Sequence, residues 1–325
     1  MAFPRILCLG EILFDCLANQ VGRSLAEVES WTAYPGGAPA NVACALVKLG
    51  IPTAFIGCVG DDEPGQKLLG LLQDIGVNTK GIQQKTAKPT RKVYVLRSHE
   101  GDREFAGFGD LPPEGFADAF LQADLLPEDL FQQADYLIIG TLELAYPQTR
   151  EAIFKALELA DRHHVKVVMD VNWRPMFWPN LDEAKPLIEA LWPSLDFLKL
   201  SDDEAQLFFN TEDAGAIAHR LNSVEGVLVT AGGAKPVSYC LSENEGKVTP
   251  VAVKVEDTTG AGDAFVAGFV SQLHKLGISS LNNRDTARKV VQYACAVGGL
   301  TTMKPGAISA QPTLAEVEAF LPHLI

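Results

Sequence analysis

The sequence lacks the features that mark nucleic-acid-binding and membrane proteins. Its 325 residues contain no run of Lys or Arg, and the formal net charge is −14. An acidic chain is repelled by phosphate backbones and by anionic lipid headgroups, so neither is expected as a partner. No apolar stretch approaches the roughly 20 residues that cross a bilayer, and the short apolar run after Arg5 predicts a first strand rather than a signal peptide. These absences predict a cytoplasmic protein.

The sequence also lacks the spacings of common metal, disulfide and nucleotide motifs. None of the six cysteines lies in a C-x-x-C pair, and the six histidines show no metal-ligand spacing, so reduced thiols and no His-based metal site are expected. No G-x-x-x-x-G-K-[ST] occurs, and no G-x-G-x-x-G follows the first strand. Their absence argues against a P-loop enzyme and against a dinucleotide dehydrogenase.

Short apolar runs alternate with amphipathic segments along most of the chain. The apolar runs predict strands at 5–10, 54–59, 134–140, 165–170, 197–200 and 226–230. Hydrophobic stripes at helical spacing predict helices at 147–163, 202–209, 211–221 and 261–276. Runs that are apolar on both faces fit a buried parallel sheet, and the alternation predicts a layered α/β fold.

Three stretches depart from this alternation. Residues 14–34 and 91–108 are more polar, and their side chains alternate in character. They predict antiparallel strands outside the main sheet, in the form of a small flap. Residues 107–127 are rich in Gly, Pro and acidic residues, which predicts a mobile connection.

The segment DTTGAGDAFVAG at 257–268 is the most informative in the chain. A turn formed by Gly260, Ala261 and Gly262 would open a helix and aim several backbone N–H groups at one point, where they favour negative charge. Asp263 would lie in the first turn, where its carboxylate can accept a proton from an attacking hydroxyl. Taken alone, the pattern also fits a tight turn with Asp263 as a helix cap.

A second glycine pair opens the segment GGAPANVACALVKLG at 36–50. Gly36 and Gly37 would let the backbone approach a ligand closely, and the Asn41 amide offers both a donor and an acceptor to vicinal hydroxyls. A helix would follow and end at Gly50. Taken by itself, the segment also fits a loop followed by a buried helix with no role in binding.

Both glycine segments resemble signatures of the PfkB (ribokinase-like) carbohydrate kinases, D-T-x-G-A-G-D and G-G-x-x-x-N. The stretches DVNWRPMFW (170–178) and 294–313 are most similar to the fructokinase branch. The resemblance implies a single ribokinase-like three-layer α/β/α domain over 1–325, with a mostly parallel central sheet. It also implies a small β-sheet lid formed by insertions at about 12–34 and 91–110.

The resemblance further implies an ATP-dependent sugar kinase in which Asp263 is the catalytic base and residues 260–262 stabilise the transferring phosphoryl group. The implied sugar-binding residues are Asp15, Gly36, Gly37, Asn41, Phe105 and Arg174. The implied nucleotide-binding residues are Ser201, Glu204, Thr230, Gly232, Thr259, Gly260, Gly262 and Cys295. Glu204 would hold Mg²⁺ through water. A monovalent cation, K⁺, would be held by Asp257 and by backbone carbonyls around Thr259, Thr301, Lys304 and Gly306.

Three positions depart from the family pattern. Ser201 and Cys295 stand where Asn is common, and Gly109 stands where an Arg usually follows the aromatic residues of the second flap strand. Because a sugar acid would need that Arg for its carboxylate, a neutral sugar is favoured. D-fructose, converted to fructose 6-phosphate, is the expected acceptor.

Alternatives remain at this point. Ribose, another ketose or a nucleoside could be the acceptor, and the chain could be a non-catalytic sugar sensor. The presence of Asp263 and of the whole glycine segment argues against a sensor, which needs no base. A homodimer formed through the lid is a further expectation.

Overall fold

The computed structural model describes residues 3–98 and 103–321. Two of the six histidines, His99 and His323, lie outside these residues. The described strands are β1 (Ile6–Leu9), β2 (Leu13–Ala18), β3 (Trp31–Gly36), β4 (Thr53–Gly60), β5 (Asn78–Lys85), β6 (Lys92–Arg97), β7 (Arg103–Gly107), β8 (Tyr136–Ile139), β9 (Lys166–Asp170), β10 (Phe197–Ser201), β11 (Gly226–Thr230), β12 (Val237–Leu241) and β13 (Asn244–Val248).

The described α-helices are α1 (Ala38–Lys48), α2 (Glu63–Ile75), α3 (Glu128–Phe131), α4 (Pro147–Arg162), α5 (Leu181–Glu189), α6 (Asp202–Phe209), α7 (Ala214–Leu221), α8 (Ala261–Leu276), α9 (Arg284–Thr301) and α10 (Leu314–Phe320). Within the described ranges, none of these helices has the length and apolar character needed to span a membrane.

Nine strands form the main sheet in the order β13-β12-β11-β10-β9-β8-β1-β4-β5. Six neighbouring pairs are parallel, and the two pairs at one edge, β11 with β12 and β12 with β13, are antiparallel. Strands β1 and β8 are buried throughout, as parallel strands covered on both faces must be. The predicted mostly parallel sheet is confirmed.

Helices cover both faces of this sheet. On one face the helices α4 to α7 belong to the same hydrophobic core as Leu7 and Leu9 of β1. On the other face α1, α2, α8 and α9 share a second core with Ile6 and Cys8 of the same strand. Successive residues of a strand point to opposite faces, so one strand contributes to two hydrophobic cores. The architecture is the expected three-layer α/β/α arrangement.

A separate four-stranded sheet, here called the lid, has the order β3-β2-β6-β7. Its outer pairs are antiparallel, as expected, but its central strands β2 and β6 pair in parallel. The expectation of antiparallel strands throughout is therefore wrong for this pair. Both strands leave the main body at the same end and run outward side by side, which makes their pairing parallel.

The segment 107–127 is ordered rather than mobile. It forms short 3₁₀ turns at Pro113–Gly115, Ala117–Phe120 and Ala123–Leu125, and it contributes Phe116 to the core. Its Asp118 carboxylate is buried and accepts two hydrogen bonds from Arg91, Nε to Oδ2 at 2.5 Å and Nη2 to Oδ1 at 2.8 Å. Of the residues that suggested mobility, the acidic Asp118 forms a buried ion pair with Arg91, and the turn-forming residues lie in the short 3₁₀ turns.

Candidate active site

A cavity of about 580 Å³ lies between the carboxyl ends of β1, β9 and β10 and the lid. Ligands of open α/β sheets bind at such strand ends. Eleven residues predicted as site residues line it: Asp15, Gly37, Asn41, Phe105, Arg174, Ser201, Glu204, Thr259, Gly260, Gly262 and Asp263. Residues from both ends of the sequence thus meet in one pocket.

The glycine turn before α8 forms the floor of the cavity. Gly260 has a left-handed backbone with φ 75° and caps the N-terminus of α8. A Cβ there would also lie 2.9 Å from the Ala307 Cβ, so glycine is required for two reasons. The Ala261 N–H donates to the Thr258 carbonyl oxygen at 3.2 Å. The other first-turn amides have no intrahelical acceptor, and they can therefore bind an anion in front of them.

Asp263 lies in the first turn of α8, and its carboxylate accepts a hydrogen bond from the Asn41 amide, Nδ2 to Oδ2 at 2.8 Å. Burial raises the pKa of Asp263 to about 6, while the Asn41 hydrogen bond and the Lys199 charge oppose this rise. A carboxylate with a pKa near the working pH is suited to be a general base. The arrangement can therefore accept a proton from a hydroxyl bound in the cavity.

A buried ion pair lies below the glycine turn. The Lys199 ammonium on β10 contacts both oxygens of Asp170 at the end of β9, at 2.9 and 3.0 Å. Although burial disfavours its charge, Asp170 and other nearby carboxylates raise the pKa of Lys199. A Cβ on Gly262 would lie 3.4 Å from the Lys199 Nζ, so a permanent cation sits beside the amides. This pair was not predicted from the sequence, although a Lys inside the apolar run FLKL was the available signal.

The two glycines before α1 bring the backbone against acidic residues. A Cβ on Gly36 would lie 2.5 Å from Asp15 Oδ2, and one on Gly37, whose φ is 103°, would lie 2.5 Å from the Glu11 carbonyl oxygen. Asp15 itself belongs to β2 of the lid. The glycines therefore place a lid carboxylate and the start of α1 at one side of the cavity.

Aromatic side chains form the opposite wall. Phe105 of β7 and Phe177 both line the cavity, and each ring packs against Phe108 at a centroid distance of 5.0 Å. Phe177 was not predicted. Its place follows from the fold of the 171–178 segment, because Phe177 ends a short 3₁₀ turn that directs the chain across the cavity.

Glu204 holds the loop that carries Arg174. Its Oε1 accepts the Trp173 N–H at 2.6 Å, and its Oε2 accepts the Ser201 N–H at 2.7 Å in a capping box at the start of α6. Arg174 is exposed, lines the cavity and donates from Nη1 to the Trp173 carbonyl oxygen at 2.9 Å. Ser201 thus acts as a helix cap here, a role that Asn also fills.

Several predicted site residues do not line this cavity. Thr230 pairs with Ser201 across neighbouring strands and donates its hydroxyl to the Leu200 carbonyl oxygen at 3.2 Å, and Gly232 is exposed beyond it. Gly36 and Ala261 border lining residues without lining the cavity themselves. Cys295 is buried in the core of α9, where burial raises the pKa of its thiol to about 12. The structure does not bring Cys295 to the cavity.

The residues expected around a monovalent cation form a second, adjoining group. Asp257 Oδ1 accepts from the Thr259 N–H at 3.0 Å and from its hydroxyl at 2.6 Å, and Oδ2 accepts from the Gly306 N–H at 2.9 Å. Thr301 is buried and donates to the Val297 carbonyl oxygen, while Lys304 pairs with Glu316 on the surface. Among the described residues, no group of three or more His, Cys, Asp or Glu side chains could hold a metal ion by itself.

The chain is similar in sequence and in fold to known proteins. A probable fructokinase-5 from Arabidopsis thaliana is 35% identical over 98% of this chain and 97% of its own length. A fructokinase with bound ATP from Xylella fastidiosa superposes with a TM-score of 0.88 at 28% identity, covering 98% of each chain. A double mutant of a fructokinase from Vibrio cholerae O395, in its fructose, ADP and potassium ion bound form, gives a TM-score of 0.84 at 28% identity, again covering 98% of each chain.

These structural likenesses confirm the ribokinase-like fold. The model of the pfkB family of carbohydrate kinases matches residues 4–314, nearly the whole chain. The protein belongs to the pfkB family of carbohydrate kinases.

Proposed function

We propose that the protein transfers the γ-phosphoryl group of ATP to the primary hydroxyl of D-fructose and forms fructose 6-phosphate. The observation that carries the proposal is the Asp263 carboxylate, which has a raised pKa and stands beside the first-turn amides of α8 in a cavity of about 580 Å³. The relatives named as fructokinases, and the Vibrio cholerae protein with fructose and ADP, support this choice of acceptor.

The residues of the cavity can divide the reaction among them. Asp263 accepts the hydroxyl proton while the sugar oxygen forms its bond to the γ-phosphorus and the bond from that phosphorus to the ADP oxygen breaks. The amides of residues 260–262 and the Lys199 ammonium stabilise the negative charge on the transferring group. Mg²⁺, when bound with ATP, neutralises phosphate charge, and the buried carboxylate of Glu204 would bind its water shell.

The charges of the cavity favour a neutral acceptor. Its acidic lining residues are Glu11, Asp15, Asp170, Glu204 and Asp263. The two basic ones are Lys199, which is paired with Asp170, and Arg174. A sugar acid would meet net negative potential here, whereas carboxylates are good acceptors for sugar hydroxyls.

A coupled assay of ADP release with a panel of sugars tests the function. We expect turnover with fructose and little with ribose, a nucleoside or 2-keto-3-deoxygluconate. In Asp263→Asn the rate constant should fall by about a thousandfold or more while sugar still binds, because only the proton acceptor is lost. Brisk turnover of ribose without turnover of fructose would show that ribose, rather than fructose, is the acceptor. Unchanged behaviour of Asp263→Asn would favour the sensor.

The potassium site is proposed at Asp257 and the carbonyls around Thr259, Thr301, Lys304 and Gly306. Asp257 supports it because its carboxylate joins the 257–259 and 306 segments, whose carbonyl oxygens are the ligand type that hard cations prefer. The same assay in potassium chloride and in choline chloride at equal ionic strength checks it, with lower activity expected in choline.

The homodimer is proposed through the lid. Its strand β3 is an edge strand, and the Tyr34 side chain on it is exposed. Such an edge can pair with a second copy. Light scattering should give twice the chain mass, and a single-chain mass would exclude the dimer.

A further inference from the structure

A pair of buried carboxyl groups lies behind the sugar side of the cavity. Glu11 follows β1, keeps only 5% of its surface exposed and lines the cavity. Its Oε1 accepts the Ala38 N–H in the first turn of α1 at 2.7 Å. Glu11 therefore connects the end of β1 to α1. The same helix carries Asn41, whose amide donates to the Asp263 carboxylate.

The second member is Glu143, which follows β8 in the 3₁₀ turn Leu142–Ala145 and is 2% exposed. In the part of the chain that the structure describes, neither of its carboxyl oxygens accepts a hydrogen bond from an N–H or O–H group of another residue. Its side chain is within hydrogen-bonding reach of the Glu11 carboxyl group. Glycine at position 10 permits this approach, because a Cβ there would lie 2.9 Å from Glu143 Oε1.

Two carboxylates cannot lie side by side in a buried site when both are ionised, so the pair must hold a proton between them. Glu11 accepts an N–H at a helix N-terminus, which favours its charged form. For Glu143 only its own backbone N–H favours the charged form, and this effect is smaller than those of burial and of the Glu11 charge. Burial raises the pKa of both groups, and the charge of Glu11 raises that of Glu143 further. The proton therefore belongs on Glu143, which donates it to Glu11.

The other ionisable groups around the pair do not supply this proton. Asp118 raises the pKa of both carboxyl groups, and its own charge is balanced by Arg91. Tyr146 is near Glu143, but its hydroxyl donates to the Phe177 carbonyl oxygen at 3.0 Å. The Glu11–Glu143 pair is thus an acid and its conjugate base, enclosed between the cavity and the core.

We propose that Glu11 accepts a hydroxyl of the bound sugar and that Glu143, as a neutral acid, is the positioning residue that holds Glu11 in place. This inference rests on the proposed function, because it assigns a role within the same sugar site. Loss of the shared proton at alkaline pH leaves two buried negative charges that repel each other, and Glu11 must move. Sugar affinity then falls, while ATP affinity does not.

The test measures KM for the sugar and for ATP between about pH 7 and about pH 9.5, a range that spans the pKa values of fully buried Glu. The wild-type sugar KM should rise about tenfold over this range. In Glu143→Gln the amide donates as the neutral acid does, so the sugar KM should match wild type at pH 7 and stay flat. Glu143→Leu cannot donate, and its sugar KM should be raised about tenfold at every pH.

Glu11→Gln should raise the sugar KM about tenfold or more, the usual loss for one hydrogen bond to a charged group. Glu158→Gln, on the surface of α4, is the matched control and should follow wild type. A Glu143→Gln profile with the wild-type alkaline rise, or a wild-type sugar KM in Glu11→Gln, overturns the proposal. If the assay shows that another sugar is the acceptor, the proposal of fructose is wrong. The same pH profiles, measured with that sugar, still decide the role of the Glu11–Glu143 pair.

Discussion

At the scale of single residues, the environment of Asp263 gives the proposed base a pKa suited to neutral pH. Burial raises its pKa to about 6, and the Asn41 amide, by donating to Oδ2, favours the ionised form. A base must be deprotonated to act. The proposed role of Asp263 therefore predicts activity that is present above this pKa and lost as pH falls through it.

We expect kcat/KM to fall on the acid side with a midpoint near pH 6, because Asp263 is then protonated. Asn41→Ala removes a donor that favours the carboxylate, so the midpoint should move to higher pH. Asn283→Ala is the control, since Asn283 caps α9 away from the cavity through the Asp285 and Thr286 N–H groups. It should cost about 1 kcal/mol of stability and leave the midpoint unchanged. If kcat/KM falls with the same midpoint in Asn41→Ala as in wild type, the Asn41 amide does not influence the pKa of the proposed base.

The site residues divide by how the sequence signals them. Asp263 and Asn41 stand in short motifs that can be read along the chain. Lys199 and Glu11 were missed because their roles depend on neighbours that only the folded chain supplies, namely Asp170 and Glu143. In the sequence, these two residues are marked only as charged residues beside or inside an apolar strand.

At the scale of elements, strands and helices were predicted correctly where the apolar pattern of the sequence was strong. The buried strands β1, β9 and β11 and the helices α6 and α8 lie where the apolar patterns placed them. Strands β5, β12 and β13 were not predicted. β5 is an edge strand with a half-polar sequence, NTKGIQQK, and it is ordered by pairing with β4 rather than by its own pattern.

The base of the lid depends on a buried ion pair that joins two elements. Arg91 directly precedes β6, and its guanidinium lies within 4.7 to 5.3 Å of the ring centroids of Phe108, Phe116, Tyr146 and Phe177. Its ionic partner is Asp118 in the 3₁₀ segment. The pair therefore anchors the lid strand to the aromatic wall of the cavity.

We expect Arg91→Met to lower the free energy of unfolding by about 3 to 5 kcal/mol, because it leaves the Asp118 charge buried and unpaired. Adding Asp118→Asn removes that charge and should restore most of the loss. Urea denaturation measures both, and Arg162→Met, which breaks exposed pairs with Glu128 and Glu158, should change stability by less than about 1 kcal/mol. Equal losses in the single and double variants would contradict this account.

At the scale of the whole molecule, the net charge of −14 opposes the approach of ATP. On the proposed assignment, attraction comes from local groups, namely the amides of residues 260–262 and the Lys199 ammonium. Long-range repulsion acts before contact, whereas these groups act at short distance. The two effects can be separated by ionic strength.

Raising the ionic strength from about 10 mM to about 150 mM shortens the screening length from about 30 Å to about 8 Å. We expect the association rate constant of a fluorescent ATP analogue, measured by stopped flow, to rise about threefold. The KM for a neutral sugar should not change. A falling association rate would mean that the local cations, rather than the net charge, dominate the encounter.

Helix α1 has a consequence for how this protein can diversify. Its first turn is fastened to Glu11 through the Ala38 N–H, and its next turn carries the Asn41 amide that holds Asp263. A mutation that shifts this helix to suit another substrate would disturb the proton acceptor at the same time. New substrate preferences should therefore arise more readily through exchanges at Phe105 and Phe177, which line the cavity but do not belong to α1.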